Sequence, residues 1–138
     1  MNIHTVILAA GEGSRMLSTK AKSLQPLGGH SMLKRIYLTA SKVSNETSFV
    51  VGYEKDSIIK EIKTFNGTIH IKEQIKPIGT ANAVKVALDT ISQDSKVIVL
   101  YGDVPLVEED TLKTLISNTD NSLTILSTIL ENPFGYGR

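Results

Sequence analysis

An apolar run that stops at a glycine constrains this chain more than any other feature. Val6-Ile7-Leu8-Ala9-Ala10 ends abruptly at Gly11, and Gly13, Arg15 and Lys22 follow. A run this short and this uniformly apolar reads as a strand buried on both faces, as in parallel sheets. It leads straight into a loop with two glycines that carries Arg15 and Lys22. Glycine lets backbone N–H groups approach an anion closely, and Arg and Lys supply the charge that phosphates need. The residues alone leave two readings open. One is a phosphate-holding, nucleotide-using loop; the other is a solvated strand-to-helix connection whose Arg15 and Lys22 face water.

The loop excludes two commoner phosphate binders. A dinucleotide fingerprint needs a third glycine where this chain has Met16, and a P-loop needs Gly-Lys-Ser/Thr opening a helix.

Strand and helix signals alternate along the rest of the chain. Strands are expected at residues 3–8, 48–51, 68–71, 97–101 and 123–130, each a short apolar or β-branched run. Between them, residues 32–43 place Met32, Ile36, Ala40 and Val43 on one helical face. Asp56 or Ser57 suits the start of a helix carrying Ile58, Ile59, Ile62 and Phe65. Gly79-Thr80 opens a third, with Val84, Ala87, Leu88 and Ile91 on its apolar side, and Asp110 or Thr111 a short fourth with Leu112, Leu115 and Ile116. This alternation predicts an α/β domain, a mostly parallel sheet covered by helices on both faces. Ligands of such sheets bind beyond the carboxyl ends of the strands, near a topological switch point. The glycine loop after the first strand and Gly102-Asp103 after the fourth then share one edge.

Composition narrows the functional classes. The 138 residues suffice for one domain with a real core. A net charge of +1 gives no reason to expect nucleic acid or a membrane surface as partner. With no cysteine, thiol catalysis and zinc-thiolate sites are excluded. The first apolar run is too short for a signal peptide or a membrane span, so a cytoplasmic location is the default expectation. Oligomeric state is not legible.

Two further motifs bear on chemistry. Tyr101-Gly102-Asp103-Val104-Pro105-Leu106 puts an acid just past a buried strand. There a carboxylate holds a divalent cation against phosphate oxygens, or merely caps a turn. Gln74 to Thr80, QIKPIGT, brings a side-chain amide to a helix N-terminus. That mixture of donors and acceptors suits a nucleobase edge, and equally suits an ordinary capped helix. His4 lies in the first expected strand, His30 before a helix and His70 in a short strand, and all three read as structural.

Taken together, LAAGEGSRM, Lys22, QIKPIGTANA, YGDVPL and NPFGYGR occur in the order and approximate spacing of the sugar-nucleotide pyrophosphorylases. Within them the chain is most similar to the bacterial N-acetylglucosamine-1-phosphate uridylyltransferases. The resemblance runs from the first strand to the last residue. It implies a Rossmann-like nucleotidyltransferase fold and Mg²⁺-dependent joining of UTP to a sugar 1-phosphate, N-acetylglucosamine 1-phosphate. By the same resemblance the backbone of Leu8, Ala9, Ala10 and Gly11 lines the nucleotide. Lys22 and Arg15 hold phosphates, and Gln74, Gly79 and Thr80 read uracil. Tyr101 and Gly102 border nucleotide and sugar, Asp103 binds the metal, and Gly137 touches the sugar. Residues 1–138 correspond to only the N-terminal part of that family's nucleotidyltransferase domain. The sugar-binding and second-metal residues past Arg138 are not represented, nor is a β-helix acetyltransferase domain.

Two departures stand out. The family has Pro before the loop lysine where this chain has Ala21, which leaves Lys22 less constrained, with Lys20 nearby as a substitute. Glu12 stands where many relatives carry a cation. The alternatives are a nucleotide-binding module without turnover and a nucleotidyltransferase for another sugar 1-phosphate.

Overall fold

The computed structural model describes residues 2–12, 18, 20–118 and 123–135. Four parallel strands form the central sheet: β1 (Asn2–Ala9), β4 (Glu46–Val51), β5 (Thr68–Glu73) and β6 (Ser95–Tyr101), in the order β5-β4-β1-β6. A small antiparallel hairpin, β2 (Pro26–Leu27) and β3 (His30–Ser31), lies between β1 and the first helix. The helices are α1 (Met32–Ala40), α2 (Lys55–Ile62), α3 (Thr80–Ala87) and α4 (Glu109–Ser117).

Alternation along each strand divides the core. Ile7, Ala9, Phe49, Val51, Ile98 and Leu100 point to one face and pack against Leu33 and Ile36 of α1, Ile58 and Ile62 of α2, and Leu112 of α4. Val6 and Val50 point to the other face, where Ala83 and Ala87 of α3 cover them. Helices therefore flank both faces, as the apolar strands required. The covering on the α3 side stops short of β6, whose Val97, Val99 and Tyr101 stay 42, 40 and 50% exposed.

One expected strand is not formed. Residues 123–130 have no regular structure, and Leu123, Ile125 and Ile129 are exposed. A strand needs a neighbour for its backbone and a surface for its side chains, and this segment has neither among the described residues. Element ends also shift. α1 closes at Ala40, with a turn over residues 41–43, so Val43 lies outside it. α2 begins at Lys55, before Asp56 and Ser57, because Glu54 takes the left-handed conformation (φ 54°) as its N-cap. In α3 the buried residues are Ala83 and Ala87, and Leu88 is exposed.

The candidate nucleotide site at the carboxyl edge of the sheet

The chain runs outward from β1 through β4 to β5, then returns to place β6 on the other side of β1. That reversal makes the crevice between the carboxyl ends of β1 and β6 the switch point, where open α/β sheets take their ligands. Leu8, Ala9, Ala10 and Gly11 lead out of β1 at this crevice, with Ala9 buried, Leu8 and Ala10 half-buried and Gly11 exposed. On its other wall stand Tyr101, Gly102 and Asp103.

The two walls are tied together by backbone. Gly102 N donates to Leu8 O at 2.9 Å, and Val104 N donates to Tyr101 O at 3.2 Å, so the turn that carries Asp103 is held against β1. A side chain at position 102 would crowd its neighbours. A Cβ there would lie 3.1 Å from Leu8 O and 3.2 Å from Leu33 Cδ1. Glycine at 102 is therefore a matter of close approach, not of an unusual φ.

Lys22 reaches this crevice from a separate support. A single 3-10 turn, Lys22–Leu24, is pinned by Leu24 N donating to Ala21 O at 3.0 Å and by the burial of Ala21, Ser23 and Leu24. From it Lys22 Nζ extends to Asp103 Oδ2 at 2.6 Å. Eighty-one residues of sequence separate the partners. It is Lys22 that makes this contact, while Lys20 is exposed beside Ser18. Ala21 adopts φ −49° and ψ 138°, close to the geometry of proline, so the backbone before Lys22 holds a proline-like shape without one.

Gln74 lies at the end of β5, where its N–H donates to Val51 O at 2.8 Å. Its side chain is buried, and Nε2 donates to Gly79 O (3.1 Å) and Asn82 Oδ1 (3.0 Å). The amide nitrogen thereby braces the start of α3. Gly79, at φ 110°, precedes Thr80 at an N-terminus with no side-chain cap, and both residues are exposed. Asn82 was not among the sequence candidates, although it lies within the same QIKPIGTANA string. Arg15 and Gly137, like Gly13 and Met16, lie outside the described residues.

The histidines are elsewhere. His4 is buried near the start of β1, five residues from Ala9, or roughly 16 Å along an extended strand. Its Nε2 bonds Ser48 Oγ at 2.7 Å, and its ring stacks on His70, which pairs with Glu46 at 2.8 Å. Burial lowers the His4 pKa, partly offset by the Glu46 carboxylate. His30 is exposed in the hairpin. A separate cavity of about 410 Å³, lined by Gly52, Glu54, Lys55, Asp56, Ser57 and Glu73, carries more carboxylates than cations and does not suit a triphosphate.

The sheet order and the Lys22–Asp103 contact at its switch point define an open α/β domain whose ligand-binding edge carries a paired cation and carboxylate. Residues 5–130 match the profile of the MobA-like NTP transferase domain, and the chain belongs to that family of nucleotidyltransferases. It is 41% identical over 138 residues to the bifunctional protein GlmU of Vesicomyosocius okutanii, covering 99% of this chain and 30% of that protein. The chain thus spans under a third of the length of the relatives it matches. Among solved structures, a nucleotidyl transferase from Methanothermobacter thermautotrophicus superposes with a TM-score of 0.72 at 20% identity, over 85% of this chain and 57% of that one. Rv0371c from Mycobacterium tuberculosis, in complex with manganese, superposes with a TM-score of 0.65 at 19% identity, over 84% and 58%. These likenesses establish the fold. Among the described residues no helix is long and apolar enough to cross a membrane.

Proposed function

We propose that this chain holds UTP across the carboxyl ends of β1 and β6 and transfers its uridylyl group to N-acetylglucosamine 1-phosphate, releasing pyrophosphate. The observation that carries this reading is the convergence of Lys22 and Asp103 at 2.6 Å on the switch point of a nucleotidyltransferase sheet. The uridine and the amino sugar rest on the 41% identity to a GlmU protein and on the shared motifs.

The chemistry asks little of proton transfer. A sugar-phosphate oxygen forms a bond to the α-phosphorus as the bond to the pyrophosphate oxygen breaks, and both groups are already anionic at neutral pH. Positioning and charge neutralisation remain. Lys22 supplies a flexible cation for the phosphates, with Arg15 as its partner from the glycine loop. The backbone of Leu8 to Gly11 lines the nucleotide, while Gln74, Gly79 and Thr80 face its base. Tyr101 and Gly102 border the sugar side, and Gly137 is proposed to contact the sugar.

The donor set at Asp103 fits magnesium. Its carboxylate is one-third exposed and already engages a cation, the Lys22 ammonium. Among the described residues no three His, Asp or Glu side chains cluster, so an ion held by Asp103 would take its other ligands from phosphates and water, as magnesium commonly does. When bound, it neutralises charge on the phosphate oxygens.

The direct test is phosphate release through pyrophosphatase from UTP, Mg²⁺ and N-acetylglucosamine 1-phosphate. Release that requires the sugar phosphate and vanishes in Asp103→Ala supports the transferase. Release with glucose 1-phosphate instead reassigns the sugar. A second reading, nucleotide binding without turnover, is favoured by the exposed flank of β6 beside the site. UTP binding without release from the folded chain establishes it.

A further inference from the structure

The Lys22–Asp103 pair joins the residue proposed for the phosphates to the residue proposed for the metal, and each group is the other's partner. We propose that the pair is a cation-exchange latch: the Lys22 ammonium holds the cation place on Asp103 until a metal–nucleotide complex arrives, whereupon Lys22 transfers to phosphate. This rests on the reading above and adds an order to it, in which metal and triphosphate each release the other's ligand.

Three observations carry the inference. Both side chains are about one-third exposed, 35 and 34%, so solvent ions reach the pair and it is weak enough to break. Both backbones are fixed. Asp103 follows Gly102, which is bonded to Leu8 O, and Lys22 stands on a turn anchored by buried Ala21 and Leu24. The exchange therefore needs only the four-carbon lysine stem to swing. Finally, a dication and an ammonium sharing one carboxylate repel each other at such short range, so the metal displaces Lys22 instead of joining it.

A merely structural ion pair makes the opposite prediction from a latch. If the bond only holds the loop in shape, removing either partner weakens binding of both ligands. If it is a latch, removing one partner frees the other. The experiment titrates the 138-residue chain with Mn²⁺ in the absence of nucleotide, by the loss of the free-ion paramagnetic resonance signal. In parallel it titrates the chain with UTP in EDTA, by calorimetry. Wild type, Lys22→Met and Asp103→Asn are compared, with thermal unfolding as the check on folding.

Lys22→Met is expected to bind Mn²⁺ about fivefold more tightly than wild type, and Asp103→Asn to bind metal-free UTP about fivefold more tightly, the scale of a partly exposed ion pair. Unchanged or weaker Mn²⁺ binding by folded Lys22→Met, while Asp103→Asn still loses the ion, overturns the latch and leaves the metal reading standing. Mn²⁺ binding that Asp103→Asn does not diminish overturns the metal reading itself, and the latch with it.

Discussion

Gly102 and Leu8 are bonded backbone to backbone at 2.9 Å, so close that a methyl group at 102 would press on the Leu8 carbonyl. This contact fixes the Asp103 turn against the end of β1. Gly102→Ala forces the new Cβ into Leu8 O and Leu33 Cδ1, and overpacking of this kind costs about 1–3 kcal/mol. The expected result is a lower urea midpoint together with weakened Mn²⁺ binding at Asp103. Gly11→Ala is the contrast. Among the described residues a Cβ at Gly11 meets nothing within 4 Å, so stability should hold within about 0.5 kcal/mol. Any loss of UTP affinity in Gly11→Ala then reports the approach of phosphate to that backbone.

Gln74→Glu tests what the buried amide does. The carboxylate cannot donate to Gly79 O or Asn82 Oδ1, so both acceptors lose their partner and face a negative charge. Destabilisation of about 1–3 kcal/mol is expected from the unmade bonds, read by urea unfolding at pH 8. Asn82→Asp, which leaves the Gln74 amide a stronger acceptor, should retain most of the stability. Equal losses in the two variants would show that the amide does not brace α3.

The reach of the sequence differs from element to element. Strands such as β1 and β6 are legible because a continuous apolar run has few other places to go, although one face of β6 at the sheet edge stays open. Residues 123–130 carry the same pattern and fail, since a strand depends on a free edge and a receiving face that composition does not reveal. The hairpin at residues 26–31 had a local signal, Gly28-Gly29 with φ of 55° and 85° between its strands, that the longer periodicities obscured. Within the site, order along the chain pointed to Lys22 and Asp103 separately. Their contact at 2.6 Å follows from sheet order, because β6 adjoins β1 only through the reversal after β5. Asn82 was missed because a small polar residue on a helix has no pattern of its own until Gln74 is seen to reach it.

Stability should fall as the solution is acidified, with His4 a named contributor. Burial, its largest influence, lowers the His4 pKa; Glu46 raises it and His70 lowers it. Its Nδ1 is buried without a hydrogen-bond partner in the described structure, so protonation there creates an unsolvated charge. Below the unfolded value of 6.5 the unfolded chain binds the proton more readily than the folded one. The His4 contribution is therefore complete above pH 6.5 and is lost progressively as pH falls toward the depressed folded value. Urea midpoints between pH 8 and pH 5 should decline more steeply for wild type than for His4→Gln, which carries no titrating ring. Parallel declines would assign the acid sensitivity to carboxylates instead.

Ala21→Pro asks whether the proline-like backbone before Lys22 is fixed enough already. At φ −49° and ψ 138° the position accepts proline with little adjustment, and no backbone hydrogen bond from the Ala21 N–H is lost among those the structure records. The substitution narrows the unfolded ensemble, which is worth about 0.4–1 kcal/mol, or a rise of roughly 2–4 °C in Tm for a domain of this size. Ala21 is buried, so the ring must fit between the turn and α1, and a fall in Tm would mean that packing rejects it. The effect on ligand separates two roles for the loop. If Lys22 needs its backbone held in order to reach phosphate, Ala21→Pro tightens UTP binding as well as raising Tm. A higher Tm with unchanged UTP affinity would show that the 3-10 turn already provides that support, leaving the lysine stem as the part that moves.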